Sequence, residues 1–139
     1  MTTDQETSEK LFIQHADEAL QTMKAKALKM NLKGVGVVCY IPGNQTESWI
    51  SKMKAVKAIG SDKQNYIAIA NSKAAEMAET LINSGSNVRP PKLGEFGFIG
   101  GVIKKINSGH LLATFSGATG EEDVEISTEG LDWLISKFN

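Results

Sequence analysis

Val35-Gly36-Val37-Val38-Cys39-Tyr40-Ile41, followed at once by Pro42-Gly43-Asn44, decides the fold class. The first part is short, apolar and rich in β-branched residues, which predicts a buried strand. Pro-Gly-Asn is a turn signal. Thr46 to Met53 is the expected return strand of a hairpin, and Lys54-Ala55-Val56-Lys57-Ala58-Ile59 fits helix or strand. A second hairpin is expected downstream, where Glu95–Lys105 and Leu111–Ser116 flank the turn Asn107-Ser108-Gly109. Hairpin strands run antiparallel, so the sheet is expected to be mostly antiparallel.

Helices are expected on either side of each hairpin. Residues 4–30 carry Phe12, Ala16, Ala19, Met23, Ala27 and Met30 at steps of three and four, one apolar stripe. Thr3 and Glu6 have capping-box spacing, and Gly34 suits a left-handed stop. Ser61-x-x-Gln64 is the expected start of a second helix, with Tyr66, Ile69, Ala70, Ala74, Met77 and Leu81 on its apolar face. Asn83-Ser84-Gly85-Ser86-Asn87 ends it, and Arg89-Pro90-Pro91 is a stiff connector. Thr119-x-x-Glu122 caps a last helix carrying Val124, Ser127, Leu131, Leu134 and Phe138 along one side. The expected class is therefore α+β, a mostly antiparallel central sheet packed by long N-terminal, middle and C-terminal helices.

The whole-chain properties narrow the functional classes. A length of 139 residues fits one domain, 1–139. Fifteen basic and sixteen acidic residues leave a net charge of -1, so no basic field or stripe draws nucleic acid. One cysteine cannot close an internal disulfide. No apolar run approaches the ~20 residues of a membrane span, and the start of the chain is acidic and polar. A cytoplasmic protein with no membrane or nucleic-acid partner is the expectation.

Two stretches carry a resemblance. Gly94-Glu95-Phe96-Gly97-Phe98-Ile99-Gly100-Gly101 is a glycine-rich expected strand after a proline connector. Phe115-Ser116-Gly117-Ala118-Thr119-Gly120-Glu121-Glu122-Asp123 leads into a helix with Gly130-Leu131. Together with Lys73-Ala74 on the second helix, they resemble the GlcG/HbpS-like family, which includes the C-terminal domain of PduO-type proteins. Lys52-Met53-Lys54-Ala55 departs from the family's Arg-Met-Asp-Gly-Ala, lacking the aspartate and the glycine. The resemblance implies a profilin-like fold, a homo-oligomer and, in some members, non-covalent haem binding. Tyr40, Trp49 and Phe98 are candidate interface aromatics, or core.

The candidate site residues follow from chemistry. Glycines at 94, 97, 100 and 101 either twist a strand or let a ligand approach closely; Gly100 and Gly101 are taken as a ligand wall. The Ser116-Gly117-Ala118 turn offers backbone N–H groups at a helix start, where Glu121, Glu122 and Asp123 add competing negative charge. Ser116 and Asp123 are ligand-binding candidates there. Lys73 lies in an apolar stripe, where a lysine either snorkels or reaches a carboxylate at a pocket. Glu95 and Asp123 could meet as a carboxylate pair. His15 flanks the stripe of the first helix, as a hydrogen-bonded boundary residue or as a haem-iron ligand. His110, after a hairpin turn, is expected at the surface, and no Cys/His cluster suits zinc. No phosphate loop, dinucleotide fingerprint or nucleophile elbow is present. Cys39 reads as inert core. The expected role is binding a small ligand, with His15, Lys73, Glu95, Gly100, Gly101, Ser116 and Asp123 near a pocket beside the first helix. An accessory enzyme acting on an organic acid or haem, or an assembly role, stands as the alternative.

Overall fold

The computed structural model describes residues 1–138 and contains three helices and a four-stranded sheet. The order is α1 (Thr3–Lys29), β1 (Gly34–Pro42), β2 (Ile50–Val56), α2 (Tyr66–Thr80), β3 (Gly101–Ile106), β4 (Gly109–Ser116) and α3 (Gly120–Ile135). All pairings are antiparallel, in the order β2-β1-β4-β3. The α+β class and the placement of the three helices are as expected from the sequence.

β1 reads as an unbroken apolar run because helices cover the sheet on both faces. Val38 and Tyr40 join α1 and α3 in one core, with Phe12, Leu20, Met23, Phe115, Ile126 and Leu134. Val35, Val37, Cys39 and Ile41 point the other way, into a second core with Tyr66, Ala70, Ala74, Met77 and Leu112. Alternation along a strand sends successive side chains to opposite faces. In β4 the same alternation turns His110, Leu112, Thr114 and Ser116 toward α2; Thr114 Oγ1 donates to the Ala70 carbonyl at 3.0 Å. The α1–α3 approach depends on Gly130, where a Cβ would lie 2.3 Å from Met23 Cγ.

Several boundaries differ from the sequence reading, each for a local reason. α1 starts one residue early, on a capping box of Thr2 and Gln5. It ends in a Schellman closure: Asn31 takes a left-handed φ of 59°, and Leu32 N–H donates to the Ala27 carbonyl. Asn31, not Gly34, makes the stop. The return strand begins at Ile50 rather than Thr46, because Thr46 Oγ1 is drawn to the Ala78 carbonyl at 2.6 Å. Ser61 accepts from Lys63 and Gln64 N–H groups within a turn, and the helix proper starts beyond it, capped by Asn65. The expected strand from Glu95 begins only at Gly101. Gly94 and Gly97 hold φ of 96° and 70°, which a pleated strand does not accommodate. Only Thr119–Glu122 caps as read, with both hydrogen bonds of the box present.

Of two aromatic placements, Tyr40 takes the core alternative and His110 departs from expectation. Tyr40 is fully buried, and its hydroxyl donates to Ser108 Oγ at 2.9 Å, which lies 2.6 Å from Ser8 Oγ. His110 is buried rather than exposed. Burial lowers its pKa from the ordinary 6.5, opposed by a hydrogen bond with the Gly43 backbone and aided by the Lys105 charge. A base whose folded pKa is depressed leaves the unfolded state binding more protons below pH 6.5. Stability is therefore expected to fall as pH drops below 6.5, and His110→Leu is expected to flatten that slope in urea denaturation series. An unchanged slope in the variant would remove His110 from the acid sensitivity.

No helix among the described residues is long and apolar enough to cross a membrane.

Candidate functional site

The residues of one cavity come from four places in the chain. Helix α2 supplies Ile69 and Lys73, and the turn before it supplies Gln64. The irregular segment ahead of β3 supplies Gly97, Phe98 and Ile99. The end of β4 supplies Ser116, and the turn into α3 continues the wall from Gly117 to Glu121, with Asp123 below. The cavity measures about 600 Å³, a size that suits a small organic molecule.

Its floor is a buried ion pair. Lys73 is 2% exposed, and its ammonium donates to Asp123 Oδ2 at 2.9 Å and to the Phe115 carbonyl at 2.7 Å. Asp123 Oδ1 also accepts from Ala118 N–H at 3.2 Å. Of the two fates open to Lys73, the structure shows the carboxylate partner at a pocket. Burial pulls both groups toward neutrality. The Lys73 ammonium is lowered by desolvation against the pull of Asp123. The Asp123 carboxyl is pushed up to about 6 by desolvation, with Lys73 and Ala118 opposing. A buried pair of this kind contributes little to net stability but costs much to break by removing one partner.

The pair exists because Gly100 leaves room for it. With φ of +136°, a Cβ there would sit 2.5 Å from Lys73 Nζ and 2.9 Å from Asp123 Cβ. The Gly100 carbonyl accepts from Ser127 Oγ at 2.6 Å. Gly100 thus acts behind the cavity wall, and Gly101 packs under Met77 and donates its N–H to Ser84 Oγ.

Ser116 is 3% exposed, lines the cavity, and its hydroxyl has no protein partner among the described residues. It is not among the fully occluded orphan atoms either, so the hydroxyl meets the cavity space. The α3 start lies beside it. Thr119 N–H is satisfied by Glu122 Oε1 and Glu122 N–H by Thr119 Oγ1, while Asp123 N–H reaches the Thr119 carbonyl. The Gly120 and Glu121 N–H groups are left over, as the first turn of a helix requires.

Glu95 serves a different purpose. Arg89 grips it bidentately, with both N···O distances 2.8 Å, and Lys92 N–H adds a third bond at 3.0 Å. That clamp holds the Glu95 carboxyl down at about 2, chiefly through the guanidinium. Arg89 also faces Glu79 of α2 at 3.4 Å, so the clamp ties the segment carrying Phe98 and Ile99 to the helix. Glu95 and Asp123 do not form a carboxylate pair; each is held by its own cation.

His15 lies elsewhere, on α1, its ring 6.0 Å from Trp133 of α3 and edge-on to it. Its Nδ1 has no hydrogen-bond partner and stands 3.7 Å from Glu18. The cavity therefore adjoins α2 and not the first helix, because α1 and α2 occupy opposite faces of the sheet. Of the seven sequence candidates, the structure brings Lys73, Ser116 and Asp123 to the cavity, and sets Gly100 and Gly101 behind it. Gln64, Ile99 and Gly120 were missed, since nothing local in their sequence marks them. Cys39 is buried, and desolvation pushes its thiol up to about 12, so it stays protonated.

Haem fits this lining poorly. Among the described residues, no histidine, cysteine, methionine or tyrosine lines the cavity, and the one cation that does, Lys73, is already engaged by Asp123. Comparison with known protein families and with curated proteins finds no match to this chain.

Proposed function

We propose that the protein binds a small organic molecule in the cavity between α2, the Gly97–Ile99 segment and the β4–α3 turn. The observation that carries this reading is Ser116, a residue only 3% exposed whose hydroxyl has no protein partner among the described residues, at the wall of a cavity of about 600 Å³. Buried polar groups are nearly always satisfied, so an open one in a cavity is a place for a ligand atom. Ile69, Phe98 and Ile99 give the body of a ligand an apolar wall. The same features favour binding over turnover: Asp123 and Lys73 neutralise each other, and Cys39 is protonated core. The resemblance to the GlcG/HbpS-like family is consistent with a ligand-binding role.

Self-association belongs to this reading. Phe96 and Phe98 stack with centroids 5.3 Å apart, and Leu93 beside them is fully exposed. Exposed apolar groups gathered at one place suit a protein contact. Light scattering is expected to return a mass above the monomer; a monomeric mass at working concentration would remove it.

Binding is tested by titrating a small-molecule collection, haem included, while following backbone amide resonances. Saturable shifts centred on Gly117, Gly120 and Glu121 are expected. Phe98→Ala is expected to weaken such binding several-fold with little change in melting temperature, since Phe98 is 47% exposed. Haem binding that leaves these amides unmoved and is lost in His15→Ala would overturn the cavity as the site.

A further inference from the structure

The two edges of the sheet are finished differently, and one hydrogen bond shows how. Gly43 N–H donates to the Ser108 carbonyl at 2.9 Å, at the end of the β1–β4 ladder. Backbone groups alternate sides along a strand, so the odd-numbered residues of β1 bond toward β4 and the even-numbered ones toward β2. Ile50, Lys52 and Lys54 therefore bond to β1, while Ser51, Met53 and Ala55 turn their N–H and C=O outward. The same alternation turns Gly101 and Ile103 outward on the opposite edge, β3. That edge is closed. Gly101 N–H donates to Ser84 Oγ, Ile103 N–H to Asn83 Oδ1, and Ser84 N–H to the Gly101 carbonyl. On β2, no group among the described residues bonds the outward N–H and C=O of Ser51, Met53 or Ala55. Ser51, Lys52 and Met53 are exposed.

We infer that β2 receives an extended acidic segment of another protein as an added antiparallel strand. A row of outward backbone donors and acceptors is the surface that strand addition uses. Edges are ordinarily blunted by proline, a bulge or a lysine reaching past the strand. β2 contains no proline and keeps an unbroken register with β1. Its central Lys52 is drawn back to Asp17 of α1 at 2.7 Å. Charge decides against a second copy of this chain. Pairing Met53 with its own counterpart uses all three outward residues, and it sets Lys52 opposite Lys54 of the second copy, twice over. Like charges directly opposite destabilise a strand pair. A foreign strand alternating apolar and acidic residues meets neither difficulty. Met53 pairs with Val37, which faces the α2 core, so Met53 lies on that side, 38% exposed and open to an apolar neighbour. Lys54 lies on the α1 side without an ion pair among the described residues, and there it meets a carboxylate.

The test uses the full chain and three blocked heptapeptides. One alternates glutamate with valine, one replaces its glutamates with lysine, and one is the glutamate peptide N-methylated at its valines. In an antiparallel pair the residue opposite Met53 shares its face and turns its own N–H toward β2, so valine nitrogens make the bonds. The glutamate peptide is expected to shift the Ser51, Met53 and Ala55 amide resonances saturably and to slow their hydrogen exchange. Methylation is expected to abolish that protection. Lysine replacement is expected to weaken binding about threefold, the scale of exposed charge pairs. Met53→Pro removes one outward N–H and none that β1 uses, so it is expected to lose the peptide and keep its circular dichroism spectrum. Equal binding of the methylated peptide overturns strand addition, as does a glutamate peptide that leaves the three amides unprotected. A lysine peptide that binds as tightly overturns the acidic partner. Concentration-dependent shifts of the same amides without peptide assign the edge to a second copy and overturn the foreign strand.

Discussion

Lys73→Met is expected to destabilise the fold by about 3–5 kcal/mol near neutral pH, because it strands the Asp123 carboxylate in a desolvated site. The loss is expected to shrink on acidification, and the sign follows from Asp123. Its folded pKa is already raised to about 6 from 3.8, by burial opposed by Lys73. A raised carboxyl contributes stability that is fully present below its unfolded pKa and is lost as pH rises through the folded one. Without Lys73 the carboxyl rises further, so the variant regains stability relative to the wild type as pH falls toward about 6. Urea denaturation at neutral pH and near pH 5 reads both effects. The double variant Lys73→Met with Asp123→Asn removes both charges and keeps an acceptor for Ala118 N–H. It is expected to recover most of the loss, a coupling that a double-mutant cycle isolates. A single-variant loss under about 1 kcal/mol, or one independent of pH, would show that the pair is not buried as described.

Gly117→Ala is the second large expected effect, about 3 kcal/mol or more. At φ of +134°, an added Cβ would lie 2.2 Å from the Lys33 carbonyl oxygen and 2.7 Å from Gly34 Cα. Both neighbours are backbone at the start of β1, and a backbone contact cannot be relieved by rotating a side chain. Relief would have to come from separating β1 from the β4–α3 turn, which would also pull apart the cavity wall at Ser116 and Ala118. Gly94→Ala is the control. Its φ is +96°, but no atom lies within 4 Å of the added Cβ, so only the conformational cost of about 1 kcal/mol is expected. Equal losses in the two variants by denaturant titration would mean that crowding at Gly117 contributes nothing.

The residues with a local signature were legible from the sequence. Val35–Ile41 announced a buried strand through composition, and Asn107-Ser108-Gly109 announced a hairpin that the structure contains. Thr119 and Glu122 capped α3 as their spacing required, since a capping box is closed within four residues. Less local features misled. Ser61 and Gln64 have the same spacing as a capping box, yet form a turn, because Tyr66 and Ile69 must enter the α2 core and so set where the helix begins. Glu95–Gly100 looked like strand, but the Arg89 clamp and the left-handed glycines fold that stretch into the cavity wall.

Amino-acid order alone determined the α+β class, the three helices, the two hairpins and the apolar faces. These depend on periodicity, turn chemistry and caps, which act over a few residues. Lys73 shows where that reach ends. Its position in an apolar stripe marked it as unusual, but only the packing of α2 against the start of α3 decided that it meets Asp123, fifty residues away. The same packing set Ser116 open to a cavity and put His15 on the far side of the sheet. Tertiary structure decided the site because each of its groups is ordinary within its own segment. Their meaning comes from which partners the fold supplies and which it withholds.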